Sequence, residues 1–341
     1  MNGDRLTTLA GFLAALVVLA VVIWVIGVDD VINALTMAET SVLVVIVGVA
    51  ALWLSAWGLA LWTVLAAMGT PVSAPRAIFV FSAAVFSNNV TPFGQAGGEP
   101  VSALLISTVA DSKYENGLAA IASVDTLHFV PSIGFSLIGF VLVVAGAAQL
   151  TRNIVVAAGA AVVLVVLIVT AATLGWQNRD RVEATVARLV TPLLALLARL
   201  VPGRSPPDRS SVEHRIDGFF LSVGRVANDR RTIAKAMGFS ALGWLALSTS
   251  LWLSLYSLGH TAPFAATLFV VPVGSIAGAT PLPGGLGGLE AAFIALLIPT
   301  AGVSASAATA AVLIHRGATY WLPTLFGGGA AAVIGADSRG E

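Results

Sequence analysis

Apolar residues run without a single charge from Leu9 to Val28, from Ser41 to Met68 and from Asn153 to Gln177. Each run is long enough to cross a hydrocarbon core about 30 Å thick as an α-helix rising about 1.5 Å per residue. Three further apolar runs carry polar interruptions: Leu118 to Ala147 with Asp125 and His128, Ala236 to Leu258, and Ser304 to Ile334 with His315 and Arg316. The pattern predicts an all-α polytopic membrane protein with about six full spans.

Two other segments are apolar but broken. Ile78 to Asn89 and Pro100 to Ala110 are stretches of about half a bilayer each. They flank Val90-Thr91-Pro92-Phe93-Gly94-Gln95-Ala96-Gly97-Gly98-Glu99. Phe264 to Ala277 and Leu289 to Ile298 flank Gly278-Ala279-Thr280-Pro281-Leu282-Pro283-Gly284-Gly285-Leu286-Gly287-Gly288, and Glu290 follows. Both breaks read Thr-Pro, a Gly-containing linker, Gly-Gly and a Glu opening an apolar helix.

The charge distribution orients these elements. Of the 17 basic residues, 11 lie between Arg179 and Lys235, which the positive-inside rule assigns to the cytoplasm. Leu9 to Val28 follows Arg5, lacks a small-x-small cleavage site and reads as an anchor, leaving the acidic Asp29, Asp30 and Glu39 outside. Counting from both ends agrees only if residues 77–110 leave and return on the cytoplasmic side and residues 264–300 leave and return on the outer side. The expectation is two re-entrant hairpins arranged as an inverted repeat: a first membrane half over 1–175, a basic cytoplasmic loop over 176–235 and a second membrane half over 236–341, in the cell membrane with both termini cytoplasmic. Within the loop, Arg181 to Leu200 and Val212 to Val226 have the periodicity of helices lying along the interface.

Composition agrees with a bilayer as solvent: 57% hydrophobic, 10% charged, mean hydropathy +0.95 and no separate soluble domain expected. The formal net charge is zero, so nucleic acid is not an expected partner. Cysteine is absent, which removes disulfides, thiolate catalysis and Cys-ligated metals. The Gly-rich breaks follow apolar helices, not strands, so they do not read as nucleotide fingerprints, and neither cofactor nor metal is expected.

Broken backbone persists at depth only where protein or a water-filled cavity satisfies it, so the breaks are expected to line a cavity. Helix N-termini near Pro100 and Leu289 would point backbone donors and about half a positive charge into it, a seat for phosphate. Gly97 and Gly98, and Gly284, Gly285, Gly287 and Gly288, would let a headgroup approach the backbone. Glu99 and Glu290 sit at those helix starts, either as caps or as proton or cation carriers. Arg316, some 12 residues into the last span, reads as a lipid-phosphate anchor or as the ion-pair partner of Glu290, Glu99 or Asp125. Asp125 and His128, at i and i+3, could form a proton relay. Asn88, Asn89 and Gln95 read as caps for the first half-helix, with Asn89, Thr91, Pro92, Thr280 and Pro281 as further substrate contacts. His315 reads as a packed residue, and the eight Trp and the Tyr320-Trp321 pair as interface anchors.

The Asn-x-x-Thr-Pro to Gly-Gly-Glu-Pro motif at Asn88 to Pro100, Asp125 in the next span, Pro-x-Pro-Gly-Gly-Leu-Gly-x-x-Glu at Pro281 to Glu290 and Arg316 resemble the lysylphosphatidylglycerol synthase transmembrane, or flippase-like, family of UPF0104-type membrane proteins. The resemblance runs nearly end to end and implies movement of lipid between leaflets; aminoacyltransferase activity is not expected. The expectation is translocation of an anionic phosphate-containing or polyprenyl-linked lipid, by a protein that is not an enzyme but can work beside a lipid synthase or glycosyltransferase. Two alternatives stand: a membrane glycosyltransferase using a polyprenyl-phosphate donor at Asp29-Asp30, and a non-transporting partner of a lipid-modifying enzyme.

Overall fold

The computed structural model describes residues 24, 28–92, 94–146, 170, 174, 177–178, 209–280 and 282–337. The expected spans Leu9 to Val28 and Asn153 to Gln177 lie almost wholly outside them, and Arg181 to Leu200 and Pro281 lie outside entirely. Among the described residues every regular element is helical: α1 (Val28–Thr36), α2 (Thr40–Ala67), α3 (Ala74–Val90), α4 (Gln95–Val109), α5 (Tyr114–Gly146), α6 (Arg209–Asn228), α7 (Arg230–Ser257), α8 (Phe264–Ser275), α9 (Gly288–Ala301), α10 (Ala305–Arg316) and α11 (Leu322–Asp337). Two 3-10 turns, Ile276–Ala279 and Pro283–Gly285, lie between α8 and α9, and a π turn, Gly317–Trp321, joins α10 to α11.

The molecule is organised around α2 and α7, which pack along each other through small residues. Ala56, Ala60, Ala246 and Ser250 are buried there, and Gly243 lets the Trp57 indole lie directly on the α7 backbone. Small residues permit this close approach where lipid offers no hydrophobic drive between helices. Outward faces are apolar instead: Val44, Val45, Val141, Leu142, Leu325 and Phe326 are exposed. An inside-packed, outside-apolar helix bundle is what a lipid solvent selects.

Chain direction follows from contacts at the two ends. At one end, the Arg225 guanidinium of α6 donates to the Met68 carbonyl after α2 (2.9 Å), and the Ser222 hydroxyl donates to Asn116 at the start of α5 (3.1 Å). At the other end, the Glu39 N–H donates to the Ser257 carbonyl at the close of α7 (2.9 Å), and α1 packs on α10. The α3–α4 hairpin therefore leaves and returns at the α6 end, whereas the α8–α9 hairpin leaves and returns at the α1 end.

Element lengths recur along the chain, α2 and α7 at an offset of 190 residues and the later elements at 191. Thr40–Ala67 and Arg230–Ser257 are both 28 residues long, and the 33 residues of α5 correspond to 305–337, the continuous run from α10 to α11. The turn that precedes each of those long helices uses left-handed backbone at matching positions, Asp111 (φ 45°) and Gly302 (φ 67°). Packing partners correspond as well: α5 runs along α8, and α11 runs along α3.

Among the described residues, four segments are long and apolar enough to cross a membrane: Thr40–Ala67, Tyr114–Gly146, Arg230–Ser257 and Pro283–Ala301. The last is composite, because Gly284 and Gly285 (φ 56° and 67°) break its first turn and α9 itself has 14 residues. The first hairpin differs from expectation in two ways. Its arms are 17 and 15 residues rather than about 11, so α3 is about 25 Å long at about 1.5 Å per residue. Its second helix also starts at Gln95, with Pro100 inside it, because Gly94 at φ 53° turns the chain early and its carbonyl takes the first helical bond from Gly98 (2.9 Å).

Candidate functional site at the meeting of two helix breaks

The tips of the two hairpins touch. A Cβ placed on Gly94 would lie 3.3 Å from the Gly278 carbonyl oxygen, and one on Gly285 would lie 2.6 Å from the Gly278 Cα. Gly94 and Gly285 are 191 residues apart and both left-handed, so each half supplies an equivalent glycine to the junction. Gly284 brings the second tip against Asn89, its absent Cβ pointing 3.1 Å from the Asn89 Cα.

Arg316 and Glu290 meet at this junction. The Arg316 Nε donates to Glu290 Oε1 at 2.7 Å, and Nη2 donates to the Gly284 carbonyl at 3.3 Å. The other Glu290 oxygen accepts the Gly287 N–H at 2.6 Å, so one carboxylate caps α9 and holds the arginine. Both readings of Glu290, cap and ion-pair partner, are realised together. Exposures of 2% for Glu290 and 11% for Arg316 make this a desolvated pair. The guanidinium lies 4.6 Å from the centre of the Tyr320 ring. A guanidinium has five N–H donors, so two bonds leave it capacity for a further acceptor.

The first half is built differently. The Glu99 and Asp125 carboxyls interact directly, with the Gln95 amide beside Asp125. Glu99 is the fifth residue of α4, not its first turn, so the expected capping role does not apply to it. Asp125 Oδ2 is buried without a hydrogen-bond partner, as are Asn88 Oδ1 and Thr280 Oγ1. Thr91 Oγ1 donates to the Ser87 carbonyl (2.7 Å). Gly97 lies against the Pro92 carbonyl, Gly98 against Asn88, and Gly288 against Thr280. The two breaks thus meet through Gly94, Gly278, Gly284 and Asn89, while Gly97, Gly98 and Gly288 pack within their own breaks; Pro281 lies outside the described residues.

Other residues depart from expectation. Asn89 does not cap α3: its Nδ2 donates to Thr324 Oγ1 at 2.8 Å, tying the first tip to α11. Asp125 and His128 form no relay, because the His128 ring turns to α7, stacks on Trp57 (4.1 Å) and places Nδ1 2.7 Å from Ser240 Oγ. Tyr320 is fully buried, and Trp53 and Trp244 are core residues, so these are not interface anchors; Trp321 is exposed. His315 is packed as expected, with Nδ1 2.9 Å from Ser250 Oγ. Asp29 and Asp30 occupy the first turn of α1, where the helix dipole stabilises acidic groups. Among the described residues no group of three acidic or His side chains is placed to hold a metal.

A family model described as the lysylphosphatidylglycerol synthase transmembrane region matches residues 11–327, spanning both hairpins and the Arg316 helix. The chain belongs to this family. A UPF0104 membrane protein of Methanothermobacter thermautotrophicus is 26% identical over 328 residues, covering 95% of this chain and 92% of the relative. A UPF0104 membrane protein of Pyrococcus horikoshii is 21% identical, covering 90% of this chain and 91% of the relative. In this member of the lysylphosphatidylglycerol synthase transmembrane-region family, a multi-pass membrane protein, the Arg316–Glu290 pair sits where the two hairpin tips meet. Tyr320 and Thr324 complete that junction and were not anticipated. A 191-residue offset pairs Glu99 with Glu290 and Asp125 with Arg316, but it pairs Tyr320 and Thr324 with Phe129 and Ile133 and gives no signal for them.

Proposed function

We propose that the protein translocates an anionic, phosphate-bearing lipid between leaflets of the cell membrane, with Arg316 and the broken-helix tips receiving the headgroup while the apolar tails stay in the bilayer. The observation that carries this reading is the junction itself: two helix breaks, one entering from each end of the bundle, meet beside a desolvated arginine. Paired broken helices in related halves are the architecture of secondary transporters, whose sites lie near the bilayer midplane. The hairpins are then re-entrant, the halves form an inverted repeat, and the basic α6 end and both termini are cytoplasmic. A lipid synthase or glycosyltransferase is the kind of partner that would supply the cargo.

The test is leaflet exchange of headgroup-labelled anionic lipids in proteoliposomes, with a neutral lipid and protein-free vesicles as controls. Protein-dependent exchange of the anionic lipid, falling about tenfold or more in Arg316→Lys, is expected, because lysine keeps the charge and loses the fork that grips phosphate. Folded protein that moves none of several anionic lipids would overturn the reading.

A further inference from the structure

The 191-residue offset superposes a salt bridge on a pair of acids. In the second half the frame presents Glu290 to Arg316; in the first half it presents Glu99 to Asp125. The long helices share lengths and packing partners, and Gly94 matches Gly285, so the two pairs occupy corresponding positions along the frame, although Glu99 is the fifth residue of α4 and Glu290 the third of α9. In the second half the buried carboxylate is balanced by a covalently fixed cation. In the first half the position of that cation holds another carboxyl.

Two adjoining carboxyls, Asp125 with one oxygen fully enclosed and Glu99 half-buried, are costly to ionise together without a compensating charge. No Lys or Arg is among the groups acting on either carboxyl: Arg316 is held by Glu290, and Arg225 of α6, which packs on α5, donates to the Met68 carbonyl. Helices α2 and α8, which flank the pair, contain no titratable residue. Arg76 of α3 is 12 residues from Asn88, the α3 residue against Gly98, or about 18 Å along the helix. Lys235 of α7 points outward and is exposed, and Arg230 and Arg231 begin that helix. His128, on the same helix as Asp125, is turned to Ser240 and Trp57. Asp125 Oδ2, fully buried and without a protein partner, adds an independent mark of an incomplete coordination.

We infer that the Glu99–Asp125 pair holds one exchangeable monovalent cation, a proton or a sodium ion, in the place the Arg316 guanidinium fills in the other half. Its exchange as the tips part couples an ion gradient to the lipid movement proposed above. The coupling rests on that reading, whereas the cation site stands without it. One half is permanently neutralised and the other reversibly so, an asymmetry that lets a symmetric frame be driven in one direction.

The experiment uses the purified full chain at neutral pH. Infrared difference spectra read protonated carboxyls, and equilibrium binding of radioactive sodium reads the metal-ion alternative. One of these signals is expected at one equivalent per chain, lost in both Glu99→Gln and Asp125→Asn and retained in Asp30→Asn. If Asp125→Asn fails to fold, Glu99→Gln carries the assignment. Neither signal in the folded wild type, or a signal that survives both substitutions, overturns the site. Leaflet exchange under an imposed proton or sodium gradient separates the two claims: exchange indifferent to either gradient overturns the coupling, while a bound cation without any lipid exchange overturns the transport reading and leaves the site.

Discussion

The Tyr320 hydroxyl donates to the Asn89 backbone carbonyl at 3.0 Å, across 231 residues of sequence. That carbonyl sits at the end of α3, where helix termination removes its internal partner. Asn89 answers with its own side chain, whose Nδ2 reaches Thr324 Oγ1. The two bonds fasten the tip of one half to the last helix of the other.

Tyr320→Phe is therefore expected to lower stability by about 1–3 kcal/mol, the cost of stranding a buried acceptor. Asn89→Ala should do similarly, and the double variant should fall short of the sum because the bonds share one junction. Thermal melting in detergent measures each. Unchanged melting in Tyr320→Phe would show that the tips are held by other contacts.

The Arg316–Glu290 pair makes a second prediction. Removing one partner of a buried pair leaves a lone charge and costs about 3–5 kcal/mol, so Arg316→Ala is expected to be poorly folded. Arg316→Gln combined with Glu290→Gln removes both charges and should melt closer to wild type. Lipid exchange in that folded double variant then separates anchoring of phosphate from support of the fold. Retained exchange would assign the arginine to structure.

Helices and breaks were legible because period, charge and Gly-Pro punctuation are local signals. Thr40–Ala67 begins within a residue of the charge-free run that announces it, and Glu290 caps α9 as its position implies. The start of α4 was not legible: Pro100 attracts the boundary by propensity, whereas the left-handed Gly94, required by contact with Gly278, moves it five residues upstream. The burial of Tyr320 was hidden for a similar reason. Next to an exposed Trp321 it resembles a membrane-surface aromatic, and only the fold brings Asn89 to its hydroxyl. Neither contact is encoded nearby in sequence, although matching helix lengths at offsets of 190 and 191 residues mark the elements that correspond.

Asp229 offers a pH-dependent prediction away from the bilayer core. It precedes α7, and its carboxylate accepts from the Thr232 hydroxyl (2.7 Å), the Thr232 N–H and the Arg231 N–H. The Thr232 side-chain bond, first among these, holds the carboxyl below its ordinary 3.8. A depressed folded-state value means that the cap stabilises the helix fully above the unfolded value and is lost as pH falls through the folded one. Melting followed downward from pH 5 should show a loss in wild type that is absent in Asp229→Ala, which should already be destabilised at neutral pH. Parallel curves would remove Asp229 from the capping of α7.

Glycine substitutions test the junction geometry directly. Gly285→Ala places a Cβ 2.6 Å from the Gly278 Cα at a φ of 67°, so it meets both backbone strain and a backbone atom that cannot swing aside. Gly94→Ala, at φ 53°, meets the Gly278 carbonyl at 3.3 Å and should be milder. Gly48→Ala and Gly134→Ala have nothing within 4 Å and lie inside helices, where alanine is better by about 1 kcal/mol. The expected order of melting is Gly48→Ala and Gly134→Ala at or above wild type, then Gly94→Ala, then Gly285→Ala. Lipid exchange should fall in the same order, because both activities depend on tips that touch. A folded Gly285→Ala that exchanges lipid at the wild-type rate would mean the tips need not close for transport, and the site would then lie elsewhere in the bundle.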